Sequence, residues 1–139
     1  MRVVPVFDDI DTGGFFRAAA DGQLAVRRCA SCETVLHMPV GYCRNCGSFE
    51  GHWSPVVPQG RIYSYTVVTH QVHPDFPVPY TVLLIELDDV PEVRLVGRLE
   101  GRQDVRIGQR VVADFIPIAD DAAFPTWRLQ EVDGGGTER

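Results

Sequence analysis

Lysine is absent from this sequence, and all thirteen basic residues are arginine. Lysine-based covalent chemistry, such as Schiff-base formation, is therefore excluded. Long apolar runs are missing as well, because even the longest, such as residues 82–85, are short. Because a bilayer crossing needs about 20 consecutive apolar residues, the sequence predicts no membrane-spanning segment.

An apolar stretch of signal-peptide length is missing from the opening segment, MRVVPVFDDI, which soon turns acidic. A secretory leader is therefore not expected, and the sequence predicts a cytoplasmic protein.

An excess of positive charge is also missing, because the formal net charge is -6. Neither half of the chain is basic: residues 1–60 carry five Arg against six acids, and residues 61–139 carry eight against thirteen. Neutralisation of phosphate supplies most of the affinity of nucleic-acid-binding proteins. The charge balance therefore disfavours a nucleic-acid partner.

Cysteine is scarce, but its four copies form two matched pairs, Cys29–Cys32 and Cys43–Cys46. Two cysteines separated by two residues can wrap one metal ion, and two such turns complete a tetrahedral site of four thiolates. This spacing predicts one structural zinc ion bound by the four cysteines. We expect this zinc ion to take the place of a hydrophobic core in the first sixty residues, which are too few to be stabilised well by burial alone.

Other chemistry at the cysteines fits the pattern less well. Two disulfides are disfavoured in a cytosolic chain, whereas iron in a rubredoxin-like site is the main competitor to zinc. Four thiolates leave no open position for a catalytic metal. A redox pair is expected to stand alone at the start of a helix.

Two groups of elements are predicted. The first comprises a short helix around Phe15 and Phe16, capped by Asp11 or Thr12 and ended by Asp21-Gly22, and then strands at 24–28, 34–38 and 49–53. The second comprises five strands, at 61–70, 80–87, 93–99, 110–116 and 126–132. The paired aromatic residues of the helix need a surface to bury against, in this chain or in another.

The predicted fold is mainly β: an N-terminal helix and rubredoxin-like zinc ribbon followed by a five-stranded OB-fold barrel, with a sandwich as the alternative. We expect residues 1–58 to form the helix and ribbon, residues 59–133 the barrel, and residues 134–139 a disordered tail.

No catalytic constellation stands out among the remaining polar residues. His70 and His73 lie on either side of residues 71–72 at the mouth of a proline-rich loop, where binding residues are common, but no Ser or Cys nearby pairs with them. His37 and His52 have the setting of ordinary surface or packing residues. The arginines of the second half favour surface charge over an anion site, and the acids single out no acid–base pair. We therefore predict no catalytic residue.

Several motifs resemble the DUF35 family of zinc-ribbon plus OB-fold proteins over about residues 11–132. They are FFRAA at 15–19, DGQL at 21–24, RCASC at 28–32, CRNCGS at 43–48, GRIYSYTVV at 60–68, LIELD at 84–88 and IGQRV at 107–111. The first knuckle departs from the family, because Glu33 stands where a Gly often follows the second Cys.

The resemblance implies a non-catalytic accessory subunit in acyl-CoA metabolism. Members resemble partners of thiolase-like enzymes, among them thiolases, HMG-CoA synthases, acyltransferases and steroid side-chain aldolases, and some occur with MaoC-like enoyl-CoA hydratases. A hetero-oligomer is implied, with the helix and ribbon docked on the partner and the barrel beside the acyl-CoA.

Two other functions remain as alternatives. A single-stranded nucleic-acid-binding protein could stack bases on Tyr63, Tyr65 and Tyr80, although the negative charge opposes it. A free-standing enzyme such as an acyl-CoA hydrolase lacks any recognisable motif.

Overall fold

A computed structural model describes residues 3–130 of the chain, so the predicted tail at 134–139 lies outside the described residues. The mainly β fold is confirmed, with one helix and seven strands in the described part. The elements in order are α1 (Gly13–Ala20), β1 (Leu24–Cys29), β2 (Gly51–Val56), β3 (Gln59–Val68), β4 (Tyr80–Leu87), β5 (Arg94–Glu100), β6 (Arg110–Ala119) and β7 (Ala122–Leu129). None of the helical segments in residues 3–130 reaches the length and apolarity that a bilayer crossing requires.

Helix α1 begins and ends where the sequence predicts. Thr12 holds the N-cap position, but its hydroxyl donates to Asp9 Oδ2 at 3.1 Å instead of capping the helix. The chain leaves the helix through Gly22, whose φ of 76° suits glycine. Phe15 packs edge-on against Phe16 and lies 6.4 Å from the Trp53 ring, so part of its burial surface is in this chain.

Strands β1 and β2 form a two-stranded antiparallel sheet that frames the cysteine loop. Their register runs from Leu24 opposite Val56 to Cys29 opposite Gly51. The predicted strand at 49–53 therefore starts later and continues through Pro55, which an edge strand tolerates.

The predicted strand at 34–38 is wrong. Only Val35 forms a bridge, opposite Arg28, and the Leu36 amide donates to the Arg27 carbonyl. The backbone of Thr34 bonds to the Cys29 amide at 2.9 Å and so belongs to the knuckle. Pro39 then removes a donor, so no longer ladder forms here.

The other five strands form one sheet in the order β5-β4-β3-β6-β7. This order confirms the OB-like fold, although the hydrogen-bonded sheet is open, with β5 and β7 at its edges. β4 pairs along its length with both neighbours, whereas β3 pairs with β6 only from Gln59 to Arg61. A bulge between Ile62 and Ser64 shifts the register of β3.

Apolar side chains from alternating positions build the core of this sheet. The odd-numbered residues of β4, such as Leu83 and Ile85, are fully buried, and Thr81 is buried with its hydroxyl bonded to Gly101 O and Gln103 N. At Gly97 the missing side chain leaves room for Trp127, because a Cβ there would lie 2.6 Å from the indole.

The chain divides into two compact units. Of the described residues, one unit combines 3–58 with Asp114–Thr126, and the other combines Gln59–Ala113 with residues 127–130. The domain bounds 1–58 and 59–133 stay predictions.

Candidate metal centre

The four cysteines lie together in the loop framed by β1 and β2. Their sulfur atoms are all within 4.8 Å of one another. Cys29 Sγ lies 3.6 Å from Cys46 Sγ, and Cys32 Sγ lies 3.7 Å from Cys43 Sγ. Four sulfurs at about 2.3 Å from one zinc ion in a tetrahedron are roughly 3.8 Å apart. The donor set and its spacing therefore fit a tetrahedral tetrathiolate site.

Each cysteine pair lies in its own turn, and the two turns have the same pattern of backbone hydrogen bonds. The first cysteine of a pair accepts a backbone bond from the residue four positions later and donates one to the carbonyl five positions later. These bonds are Glu33 N to Cys29 O at 2.9 Å, Cys29 N to Thr34 O at 2.9 Å, Gly47 N to Cys43 O at 2.9 Å and Cys43 N to Ser48 O at 2.8 Å. The local backbone thus builds two equivalent knuckles.

The fifth residue of each knuckle has a positive φ. Gly47 has a φ of 81°, which costs glycine nothing, and Glu33 has a φ of 62°, which is unfavourable for a residue with a Cβ. The Glu33 carbonyl accepts a bond from Arg28 Nη1 at 3.0 Å, and its carboxylate lies 3.3 Å from His52 Nε2. These contacts help to hold the strained turn.

The buried sulfurs receive backbone amides from inside the turns. Ser31 N donates to Cys29 Sγ at 3.3 Å, and the amides of Asn45 and Cys46 donate to Cys43 Sγ at 3.3 and 3.4 Å. Hydrogen bonds to the charged form favour a thiolate over a thiol.

The pKa values of the thiols of Cys32 and Cys46 shift in opposite directions, because neighbouring thiols cannot all be negatively charged and their hydrogen bonds differ. The Thr34 hydroxyl and the Asn45 side-chain amide lower the pKa of Cys32 to about 6. The Ser48 amide lowers the pKa of Cys46, but the hydrogen bond with Cys29, burial and the other thiols raise it to about 12. Four adjacent thiolates therefore need a cation between them, and a divalent ion such as zinc supplies that charge.

Burial alternates around the cluster. Cys29 and Cys43 are buried and pack with Leu36, whereas Cys32 and Cys46 are exposed. Because four thiolates complete a tetrahedral shell, the donor set suits a structural ion and offers no position for substrate. Within residues 3–130 no other group of three or more His, Cys, Asp or Glu side chains converges in this way.

The histidines do not come together. His52 contacts Glu33 beside the ribbon, and His70 is exposed. His73 accepts a bond from Asp75 N at its Nδ1 atom, at 3.1 Å, so its Nε2 atom carries the proton in the neutral ring.

The arginines of the second half occupy different settings. Arg94 lies 3.8 Å from the Tyr63 ring, and Arg110 Nη2 donates to Asp88 Oδ2. Arg98 lies 4.9 Å from the Tyr80 ring and 5.2 Å from the Phe76 ring. Sequence reasoning weighed Arg98 among the arginines of a possible anion site and favoured surface charge, but it did not place Arg98 beside Phe76 and Tyr80, which flank the segment from Pro77 to Pro79.

Comparison with known proteins assigns both regions. Residues 16–50 match the model of the ChsH2 rubredoxin-like zinc ribbon domain, and residues 53–115 match that of the ChsH2 C-terminal OB-fold domain. A solved structure titled "Ltp2-ChsH2(DUF35) aldolase" contains a chain that is 35% identical, with a TM-score of 0.77. The match covers 90% of this chain and 98% of that one.

A curated relative comes from Thermomonospora curvata and is named "Probable enoyl-CoA hydratase alpha subunit". It is 37% identical over 120 residues, which make up 85% of this chain. The chain spans only 37% of the length of that relative. The ribbon and OB-fold matches, together with the solved relative covered almost end to end, show that the chain belongs to the DUF35 family and carries ChsH2-type zinc-ribbon and OB-fold domains.

Proposed function

We propose that this protein is a non-catalytic accessory subunit that binds a thiolase-like enzyme and helps to form or stabilise its acyl-CoA site. The observation that carries the proposal is the similarity, at 35% identity over 98% of the relative, to a chain of an Ltp2-ChsH2 aldolase assembly. The family resemblance supplies the thiolase-like partner and the acyl-CoA. A hetero-oligomer follows, in which this chain supports chemistry performed by the other subunit.

The cysteine cluster supports a structural role for the ribbon. We assign Cys29, Cys32, Cys43 and Cys46 as ligands of one zinc ion, because their sulfurs have the spacing of a tetrahedral thiolate shell. Zinc bound there supplies folding energy to the loop and takes no part in a reaction.

The surface of the cysteine loop supports docking on a partner. Met38, Tyr42 and Phe49 expose 70%, 53% and 80% of their surface, although they are large and apolar. Single exposed apolar residues are common, but several large ones in one short loop are a typical feature of protein interaction sites. We assign this loop to the contact with the thiolase-like enzyme.

Co-expression with a thiolase-like enzyme of the same genome tests the proposal. We expect one complex in gel filtration, with higher aldolase or thiolase activity than the enzyme alone. Phe49→Ser should weaken the complex at unchanged zinc content, whereas the matched control Val72→Ser, at an 84% exposed site outside the loop, should not. A chain that elutes alone and leaves the activity of the enzyme unchanged contradicts the proposal.

A second partner is proposed from the curated relative. Its name, an enoyl-CoA hydratase alpha subunit, supports association of this chain with a MaoC-like hydratase as well. Adding that hydratase to the same gel-filtration experiment tests it. Single-stranded nucleic acid stays the alternative, opposed by the net charge of -6, and the cytoplasmic location stays a prediction.

A further inference from the structure

Arg98 stands on the outer face of the sheet beside two aromatic rings. In the register of β4 and β5 it lies opposite Val82, so Tyr80, two residues before Val82 on β4, is its diagonal neighbour on the same face. Its guanidinium carbon is 4.9 Å from the Tyr80 ring centroid and 5.2 Å from that of Phe76, which belongs to the loop between β3 and β4. The two rings are roughly parallel, at 24° and 6.5 Å. The guanidinium is therefore held in a defined place.

The hydrogen bonds of Arg98 are incomplete. Its Nε atom is buried and has no hydrogen-bond acceptor. Within residues 3–130 it is the one buried side-chain nitrogen or oxygen without a hydrogen-bond partner. Arg98 also takes no part in the ion pairs His52–Glu33 and Arg110–Asp88. Among residues 3–130, a buried arginine nitrogen without an acceptor is unusual and calls for a physical explanation.

The position of the group within the fold provides one. β4 and β5 correspond to the second and third strands of the OB-like sheet, and Phe76 lies in the loop after its first strand. OB folds bind their ligands on the face of these two strands and at this loop. Arg98 is thus a fixed cation on the face that this fold uses for binding.

The neighbouring side chains narrow the chemistry of the ligand. His73 extends the aromatic group, with its ring 5.9 Å from Phe76, and offers its Nε2 proton because its Nδ1 accepts from Asp75 N. A planar guanidinium binds phosphate oxygens in a fork, and flat rings beside it stack on a base. The net charge of -6 disfavours a long polyanion and leaves a small nucleotide as the suitable ligand.

We propose that Arg98, backed by Phe76 and Tyr80, binds a phosphate group of a small nucleotide ligand on the outer face of the sheet. The identification of that ligand as coenzyme A rests on the proposed function. The phosphate can then be the ribose 3′-phosphate or the pyrophosphate, and both present the same oxygens to the guanidinium.

Titration of the full chain with coenzyme A by calorimetry, alone and in complex with the thiolase-like enzyme, tests this site. Arg98→Met keeps an apolar stem against the rings and removes the charge, so binding should weaken roughly tenfold or more. Arg98→Lys keeps the charge without the fork and should fall between. The matched control Arg106→Met, at an exposed loop position, should bind like the wild type.

Two further probes separate the sources of phosphate. If dephospho-CoA binds the wild type as tightly as coenzyme A and loses affinity in Arg98→Met, the pyrophosphate is the group bound. If dephospho-CoA is already weak and insensitive to Arg98→Met, the group is the 3′-phosphate. Either result supports the proposal.

Equal affinity of wild type and Arg98→Met for coenzyme A, in the free chain and in the complex, overturns the inference and assigns Arg98 to packing of the loop. Absence of coenzyme A binding in both forms overturns it too, while complex formation in the same samples keeps the proposed function. If the chain binds coenzyme A through its phosphate and Arg98 but forms no complex with the thiolase-like enzyme, the site at Arg98 is supported and the proposed function is contradicted. Folding of each variant is checked by the near-ultraviolet signal of buried Trp127.

Discussion

The ribbon region, Leu24–Val56, and the sheet region, Gln59–Ala113 with residues 127–130, differ in what fills their interiors, although Leu24, Ala25 and Val26 of β1 are buried too. Inside the loop between β1 and β2 the buried hydrophobic residues are Leu36 and Cys43, which cluster with Cys29. In the sheet region, Ile62, Leu83 and Ile85 are at most 1% exposed, among several others. Two of the three residues of the ribbon cluster are metal-ligand candidates. The comparison indicates that a metal ion can stand where a small region has too little apolar surface to bury.

Each region also contains its own tryptophan, which makes the comparison measurable. Trp53 lies on β2, where its ring is 5.7 Å from the Arg27 guanidinium, and Trp127 is 5% exposed beside Gly97. Variants that keep one tryptophan, Trp127→Phe or Trp53→Phe, therefore report on the two regions separately.

The largest effect is expected from Cys43→Ala, which removes a buried ligand. Binding of structural zinc to such sites contributes about 10–16 kcal/mol in small peptides, so the ribbon region should unfold. Zinc content should fall and the Trp53 signal should become that of an unfolded chain, while the Trp127 signal persists. Arg44→Ala, at an exposed position of the same knuckle, is the control and should keep its zinc. Loss of both signals together would contradict separate support of the two regions.

A core truncation in the sheet region should destabilise that region and leave the zinc content of the ribbon region unchanged. Ile85 is fully buried, so Ile85→Ala should lower the free energy of unfolding by about 2–5 kcal/mol. Denaturant titration followed at Trp127 measures this, and zinc content should not change. Val96→Ala, at a 72% exposed position on the adjacent strand, should alter stability by less than about 0.5 kcal/mol. An equal cost at both positions would mean that Ile85 lies outside the core.

Glycine positions sharpen the same contrast. A Cβ at Gly97 would lie 2.6 Å from Trp127 and 2.9 Å from Ile85, so Gly97→Ala should cost about 1–3 kcal/mol by overpacking. In the ribbon loop a Cβ at Gly41 would meet nothing within 4 Å, and Gly41→Ala should be close to neutral. Thermal unfolding of both variants measures the difference, and a neutral Gly97→Ala would show that the sheet core is loose.

The smallest effect concerns the first knuckle. Glu33 has a φ of 62°, so Glu33→Gly should stabilise the ribbon region by about 1 kcal/mol. The lost contact with His52 is between exposed side chains and is worth little. The time course of zinc loss to an excess of chelator, followed at Trp53, should be slower for Glu33→Gly than for the wild type. Glu50→Gly, at an exposed position with no positive φ, should not slow it.

Local features of the fold could be predicted from the sequence. The knuckles depend on residues within five positions of each cysteine, and the alternation along β4 reveals its buried face. The strained turn at Glu33 follows from the missing glycine.

Long-range features could not be predicted in the same way. The strand expected at 34–38 is reduced to one bridge, between Val35 and Arg28, and periodicity does not reveal how far such a pairing extends. The placement of Arg98 beside Phe76 and Tyr80 depends on the register of β4 and β5 and on the path of a proline-rich loop. The site proposed on the sheet face thus requires the tertiary structure.

The central claim is that zinc holds the ribbon region while apolar burial holds the sheet region. Residue-resolved hydrogen exchange of the full chain, before and after complete removal of metal by a chelator, tests it most directly. We predict that the amides of Cys29, Leu36 and Cys43 lose their protection while those of Leu83 and Ile85 keep it. Unchanged protection of the cysteine loop in the metal-free protein would contradict the claim.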